Sequence, residues 1–133
     1  MTLLVDTSVW SLAFRRDAPP EIPEVAALRR GLSGQEDVVI AGVILLELLR
    51  GFLPGPVRDT LVERLEPVRL LEPSRDDYAA AAELIHTCRR AGVQLGTVDA
   101  IIAQLAIANN ATLLTTDQDF AHAAAHVPLK LLF

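Results

Sequence analysis

Leu3-Leu4-Val5-Asp6-Thr7-Ser8-Val9-Trp10 is a short aliphatic run that meets a carboxylate and two hydroxyls before apolar residues resume. It reads as a buried strand handing over to a helix. The acid at the junction has two possible uses. Asp6, Thr7 or Ser8 can cap the helix by accepting from the free N–H groups of its first turn. Alternatively, Asp6 stands where open parallel sheets bind ligands, outside the carboxyl ends of their strands.

The surrounding chain suits such a sheet. Its 133 residues are enough for one domain over 1–133 with a single core. Hydrophobic residues make up 51% and aromatics only 5%, so the core is aliphatic, as in Val/Ile/Leu strands covered by Ala/Leu helices. The longest apolar run, 38–46, stops at Glu47, well short of the ~20 residues a membrane span requires. Asp6 interrupts the first apolar stretch and no basic leader precedes it, which argues against a secretory signal. A lone Cys88 has no internal disulfide partner and agrees with a cytoplasmic location. The net charge of −5 argues against a domain that grips nucleic acid through a broad basic face. A nuclease stays open, because cations held by clustered acids invert the local field.

Downstream, helices and strands alternate. Residues 9–14 read as a short helix closed by Asp17-Ala18-Pro19-Pro20, and Pro23 opens a second helix running to Gly34. Val38-Val39-Ile40-Ala41 is a β-branched strand. Residues 42–51 form a helix apolar around most of its circumference, hence largely buried, with Glu47 its only acid. A helix over 57–65, a strand over 68–71 and a long helix over 75–91 follow. Ser74 caps the long helix, whose apolar stripe is Tyr78, Ala81, Ala82, Ile85 and Cys88. Thr97 is expected to cap a helix over 98–109 with the stripe Val98, Ile101, Ile102 and Leu105. Thr112-Leu113-Leu114-Thr115 then repeats the opening pattern, running into Thr116-Asp117-Gln118-Asp119, before a short helix over 121–125 and a last strand over 129–132. Alternation without two-residue hairpins predicts an α/β fold of three layers, a central, mainly parallel sheet with helices on both faces.

Four places hold acids that apolar patterning does not require: Asp6, Glu47, Asp99 and the Asp117/Asp119 pair. Singly, each has an ordinary role as a cap, a dipole partner or, for Glu47, a partner of Arg50. Jointly, two acids end strands and two lie on helices that would adjoin those ends. Converging carboxylates repel one another unless a cation is present. An oxygen-only set selects Mg²⁺ or Mn²⁺ over zinc or copper. Two such ions roughly 3.5–4 Å apart can activate a water and stabilise a leaving oxygen, which is nuclease chemistry. Ser8 and Thr116, beside their acids, are candidates for positioning the water or for backbone capping.

Leu-Leu-Val-Asp6-Thr-Ser-Val-Trp, Leu-Leu-Glu47-Leu-Leu-Arg-Gly, Asp99-Ala-Ile-Ile-Ala and Leu-Leu-Thr-Thr-Asp117-Gln-Asp119-Phe together resemble the motif blocks of PIN-domain ribonucleases, in the family's order and over nearly the whole chain. They are most similar to the VapC-type toxins of bacterial toxin–antitoxin modules. The resemblance implies a PIN-like fold, an acidic pocket for Mg²⁺ or Mn²⁺ and endonucleolytic cleavage of RNA, often tRNA or rRNA. It also implies a homodimer and a cognate antitoxin that blocks the pocket. By position it carries over Asp6, Glu47, Asp99 and Asp117 as catalytic metal ligands, with Asp119 as an accessory or helix-capping acid. Arg15, Arg16 and Arg50 are candidate RNA contacts, or plain surface arginines.

Other readings fit less well. An aspartyl-phosphate phosphatase wants a second acid two residues after the first, where this chain has Ser8. A receiver domain wants paired acids near its start. His122 and His126 have the spacing of a zinc helix, but no glutamate follows His122. The non-enzymatic alternative is a binding module of the same fold whose acidic pocket receives arginines from a partner protein.

Overall fold

The computed structural model describes residues 1–14, 19–51 and 54–133. Leu3, Leu4 and Val5 lie in β1 (Thr2–Val5), and all three are fully buried. A strand apolar on both faces belongs inside a parallel sheet. β1 lies between β2 (Asp37–Ala41) and β4 (Thr112–Leu114), and β3 (Arg69–Leu71) flanks β2, giving the order β3-β2-β1-β4 with every pairing parallel. Leu4 is in register with Val39 on one side and Leu113 on the other.

This order sets where a ligand can bind. The chain steps from β1 through β2 to β3, then crosses back to lay β4 on the opposite side of β1, so the direction of winding reverses between β1 and β4. Parallel crossovers are right-handed, so connections running in opposite directions place their helices on opposite faces. The first connections carry α1 (Thr7–Ala13), α2 (Pro23–Arg30), α3 (Gly42–Leu49) and α4 (Gly55–Leu65); the return carries α5 (Arg75–Arg90) and α6 (Thr97–Ala108). α1 packs on α2 and α3, and α5 packs along α6. The expected three-layer α/β architecture is therefore the one the chain adopts. α7 (Gln118–Ala124) follows β4 and seats Phe120 and Ala123 in the core.

Local chemistry explains the main junctions. Trp10, 1% exposed, donates its indole Nε1–H to the Val5 carbonyl at 3.1 Å, pinning α1 to the end of β1. Ser74 and Asp77 form a reciprocal capping box at the start of α5, as expected of Ser74. The helix opened by Pro23 runs to Arg30 and closes through a wider turn, Gly31–Gln35, in which Gly34 takes φ +99°. That left-handed conformation favours glycine.

Several local expectations are corrected. Residues 129–132 do not form a strand; the Lys130 carbonyl and the Leu132 N–H both reach Leu113, which makes one parallel bridge, Leu113 to Leu131. The N-cap of α6 is Gly96, and Thr97 is the first helical residue without a capping bond. Val98, in the first turn, is 37% exposed, while the buried face of α6 comprises Ala100, Ile102, Ala103, Leu105 and Ala106. On α5 the inward side is Ala81, Leu84, Ile85 and Cys88, because α5 lies on α6 along one side only; Tyr78 and Ala82 face outward. α3 buries Ile44 and Leu48 but leaves Leu46 64% exposed, so it is a flank and not a buried helix. Among the described residues, no helix is long and apolar enough to cross a membrane.

Candidate metal centre

The winding reversal leaves a crevice outside the carboxyl ends of β1 and β4, the position where sheets of this kind bind ligands. Asp6 follows β1 directly, and its N–H continues the ladder to the Leu114 carbonyl at 2.9 Å. Among the described residues it is the only polar or charged side chain that is buried, at 6% exposure. It makes no side-chain capping bond, which removes the capping reading. Two hydroxyls hold it instead: Ser8 Oγ and Thr115 Oγ1 each donate to Asp6 Oδ2 at 2.8 Å. A buried carboxylate needs such donors, since burial without partners is strongly unfavourable.

The same hydroxyls order the chain leaving β4. Ser8 Oγ accepts from the Thr116 N–H at 3.1 Å, and Thr115 Oγ1 accepts from the Asp117 N–H at 3.0 Å. Asp117 is the N-cap of α7, accepting the Asp119 N–H on Oδ1 at 2.9 Å. The capping duty assigned to Asp119 therefore belongs to Asp117, and Asp119 lies in the first turn.

Asp99 projects from the first turn of α6 and is half-buried. One carboxylate oxygen from each of Asp99, Asp117 and Asp119 lies within 4.8 Å of the other two. The Asp99 carboxyl is pushed up to about 6, first by desolvation and then by the charges of Asp117, Asp6, Asp119 and Glu47. All five acids of the sequence reading thus act on one place. Glu47, half-buried on α3, accepts a hydrogen bond from Thr7 Oγ1 at 2.9 Å. It forms no ion pair with Arg50; the ion pairs among the described residues are Met1 N with Glu36 and Arg69 with Asp37. Arg50 is exposed at the end of α3, whereas Arg15 and Arg16 lie outside the described residues.

Donor type and arrangement fit a hard divalent cation. The set is all oxygen, and the crowding that raises Asp99 is what bound positive charge relieves. Sequence reasoning found the acids but missed two hydroxyls, Thr7 and Thr115. Thr-Thr before Asp117 and Thr-Ser after Asp6 signalled polar positions. Both hydroxyls of Thr7-Ser8 meet acids, whereas in Thr115-Thr116 it is Thr115 that meets one, Asp6, 109 residues away.

Comparison with known proteins agrees with this fold. A family model described as PIN domain matches residues 3–126. No curated protein matches the sequence. Among solved structures, VapBC2 from Rickettsia felis, bound to a DNA fragment from its promoter, superposes with a TM-score of 0.79 at 21% identity, covering 99% of this chain and 98% of that one. FitAcB from Neisseria gonorrhoeae gives 0.74 at 24% identity, covering 98% and 96%. The sarcin-ricin loop cleaving toxin VapC20 from Mycobacterium tuberculosis gives 0.67 at 20%, covering 96% and 98%.

Proposed function

The chain belongs to the PIN-domain family, and from that premise we propose that it is a divalent-metal-dependent endoribonuclease acting as the toxin of a toxin–antitoxin pair. The observation that carries this reading is the convergence of Asp99, Asp117 and Asp119 beside Asp6 at the reversal of winding. Asp99, Asp117 and Asp119 would hold Mg²⁺ or Mn²⁺, with Asp6 and Glu47 as further ligands from β1 and α3. Such a cation, when bound, lowers the pKa of water and offsets charge on a phosphodiester. The protein's own part is orientation. Ser8 and Thr115 fix Asp6, the α7 cap fixes Asp117, and the rigid first turn of α6 presents Asp99. Ser8 gives its hydroxyl proton to Asp6, so Thr116 is the stronger candidate for positioning water.

RNA is the proposed substrate, tRNA or rRNA in class, with Arg50 and the pair Arg15 and Arg16 as contacts to its phosphates. The other proposed partners are a cognate antitoxin and a second copy of the chain, in the cytoplasm. The decisive experiment is cleavage of structured RNA with Mg²⁺ or Mn²⁺, with and without EDTA. Asp6→Asn and Asp99→Asn should each abolish cleavage while the far-UV spectrum is kept. Full activity in either variant would sink the site assignment, activity that survives chelation would sink the metal dependence, and no cleavage by the wild-type chain with either metal would leave the arginine-binding module.

A further inference from the structure

We propose that Thr7 is a positioning residue that fixes Glu47 for the cation, an inference that rests on the metal-dependent reading of the site. Thr7 Oγ1 donates to Glu47 Oε1 at 2.9 Å, joining the first residue of α1 to the middle of α3. A glutamate loses much rotamer freedom when it is ordered, whereas a β-branched threonine in a helix has few rotamers to lose. The hydroxyl therefore supplies the stiffness that Glu47 lacks. Its single proton goes to Oε1, which leaves Oε2 as the oxygen free to act as a ligand. Asp6 is treated the same way, since both of its hydroxyl donors bind Oδ2 and leave Oδ1 open. Thr7 and Ser8 are consecutive, so one turn at the end of β1 orients acids from two different elements. A plain tie between α1 and α3 is not required, because these helices already pack together and bury Val9, Trp10, Ile44 and Leu48.

Titration of the whole chain with Mn²⁺, following the free ion by electron paramagnetic resonance, tests the role. Thr7→Val keeps the shape and removes the donor, and it should weaken Mn²⁺ binding about tenfold. Thr7→Ser keeps the donor and should stay within about twofold of wild type. In a Glu47→Gln background, Thr7→Val should add nothing, because Thr7 acts only through Glu47. If valine disturbs the first turn of α1, seen as lost ellipticity, Thr7→Ala replaces it with the same expectation. Wild-type affinity in the valine variant, or an equal loss with Glu47→Gln already present, overturns the positioning role while leaving the metal site standing. Unchanged Mn²⁺ affinity in Asp99→Asn overturns the metal site itself, and this proposal with it.

Discussion

Asp99→Asn should stabilise the metal-free protein while destroying its function. The folded carboxyl ionises near 6 against 3.8 ordinarily, because it is desolvated and faces four other carboxylates. Below pH 3.8 Asp99 is protonated in both folded and unfolded chains and costs the fold nothing. Between the two values the unfolded chain ionises first, so the folded state loses ground as pH rises, and above 6 the whole cost is present. At about 1.36 kcal/mol per pH unit the ceiling is about 3 kcal/mol. Asp99 is only half-buried and solvent screens its neighbours, so about 1–2 kcal/mol is the expected gain on removing the charge. Thermal unfolding in EDTA at about pH 7.5 should show that gain, worth roughly 3–8 °C in midpoint, and at about pH 4 it should nearly vanish. Adding Mn²⁺ to about a hundred times its Kd should reverse the order by stabilising the wild type alone, by about 2.7 kcal/mol. A variant no more stable than wild type at the higher pH without metal, or equally favoured at both pH values, refutes the repulsion reasoning.

Three further perturbations probe the frame around the site. Thr115→Val removes one of the two donors to buried Asp6 and should cost about 1–2 kcal/mol together with a loss of at least tenfold in cleavage, while Thr115→Ser keeps both; denaturant midpoints and initial rates check this. Gly31→Ala would bring a Cβ to 2.7 Å from Val38 Cγ2, so it should destabilise by about 1–3 kcal/mol, and Val38→Ala in the same chain should recover part of that in a thermal melt. Ser74→Ala breaks the capping box of α5 and should cost about 1 kcal/mol, with RNA cleavage unchanged because α5 carries none of the five acids.

The opening stretch was readable because an aliphatic run, an acid and hydroxyls follow one another in sequence, and local order alone places Asp6 at a strand end. Glu47 and Asp99 were readable as acids within otherwise apolar helical stretches, and Asp117 and Asp119 because the residues from Thr112 repeat the opening order of aliphatic run, hydroxyl and acid. Thr7 and Thr115 were not. Their partners lie 40 and 109 residues away: Thr7 meets Glu47 because α1 packs on α3, and Thr115 meets Asp6 because β4 takes the open edge of β1, and no local pattern encodes either. The false strand at 129–132 has the same origin, since aliphatic residues there cover the sheet edge through one bridge without forming a ladder. Tyr78 met the helical spacing of α5 and still faces outward, because spacing identifies a face but not how wide a neighbour will cover it.

The return of β4 to the side of β1 has a consequence for synthesis on the ribosome. Strand pairs far apart in sequence close late, because the loop entropy must be met first. A nascent chain that has delivered only its first three strands presents β1 with one bare edge, and Asp6 has neither the Leu114 carbonyl nor the Thr115 hydroxyl to hold it. Asp117 and Asp119 are also still missing. Every strand must emerge before the carboxylates meet, so a partly made chain cannot assemble the proposed hydrolytic centre beside the RNA of the machine producing it.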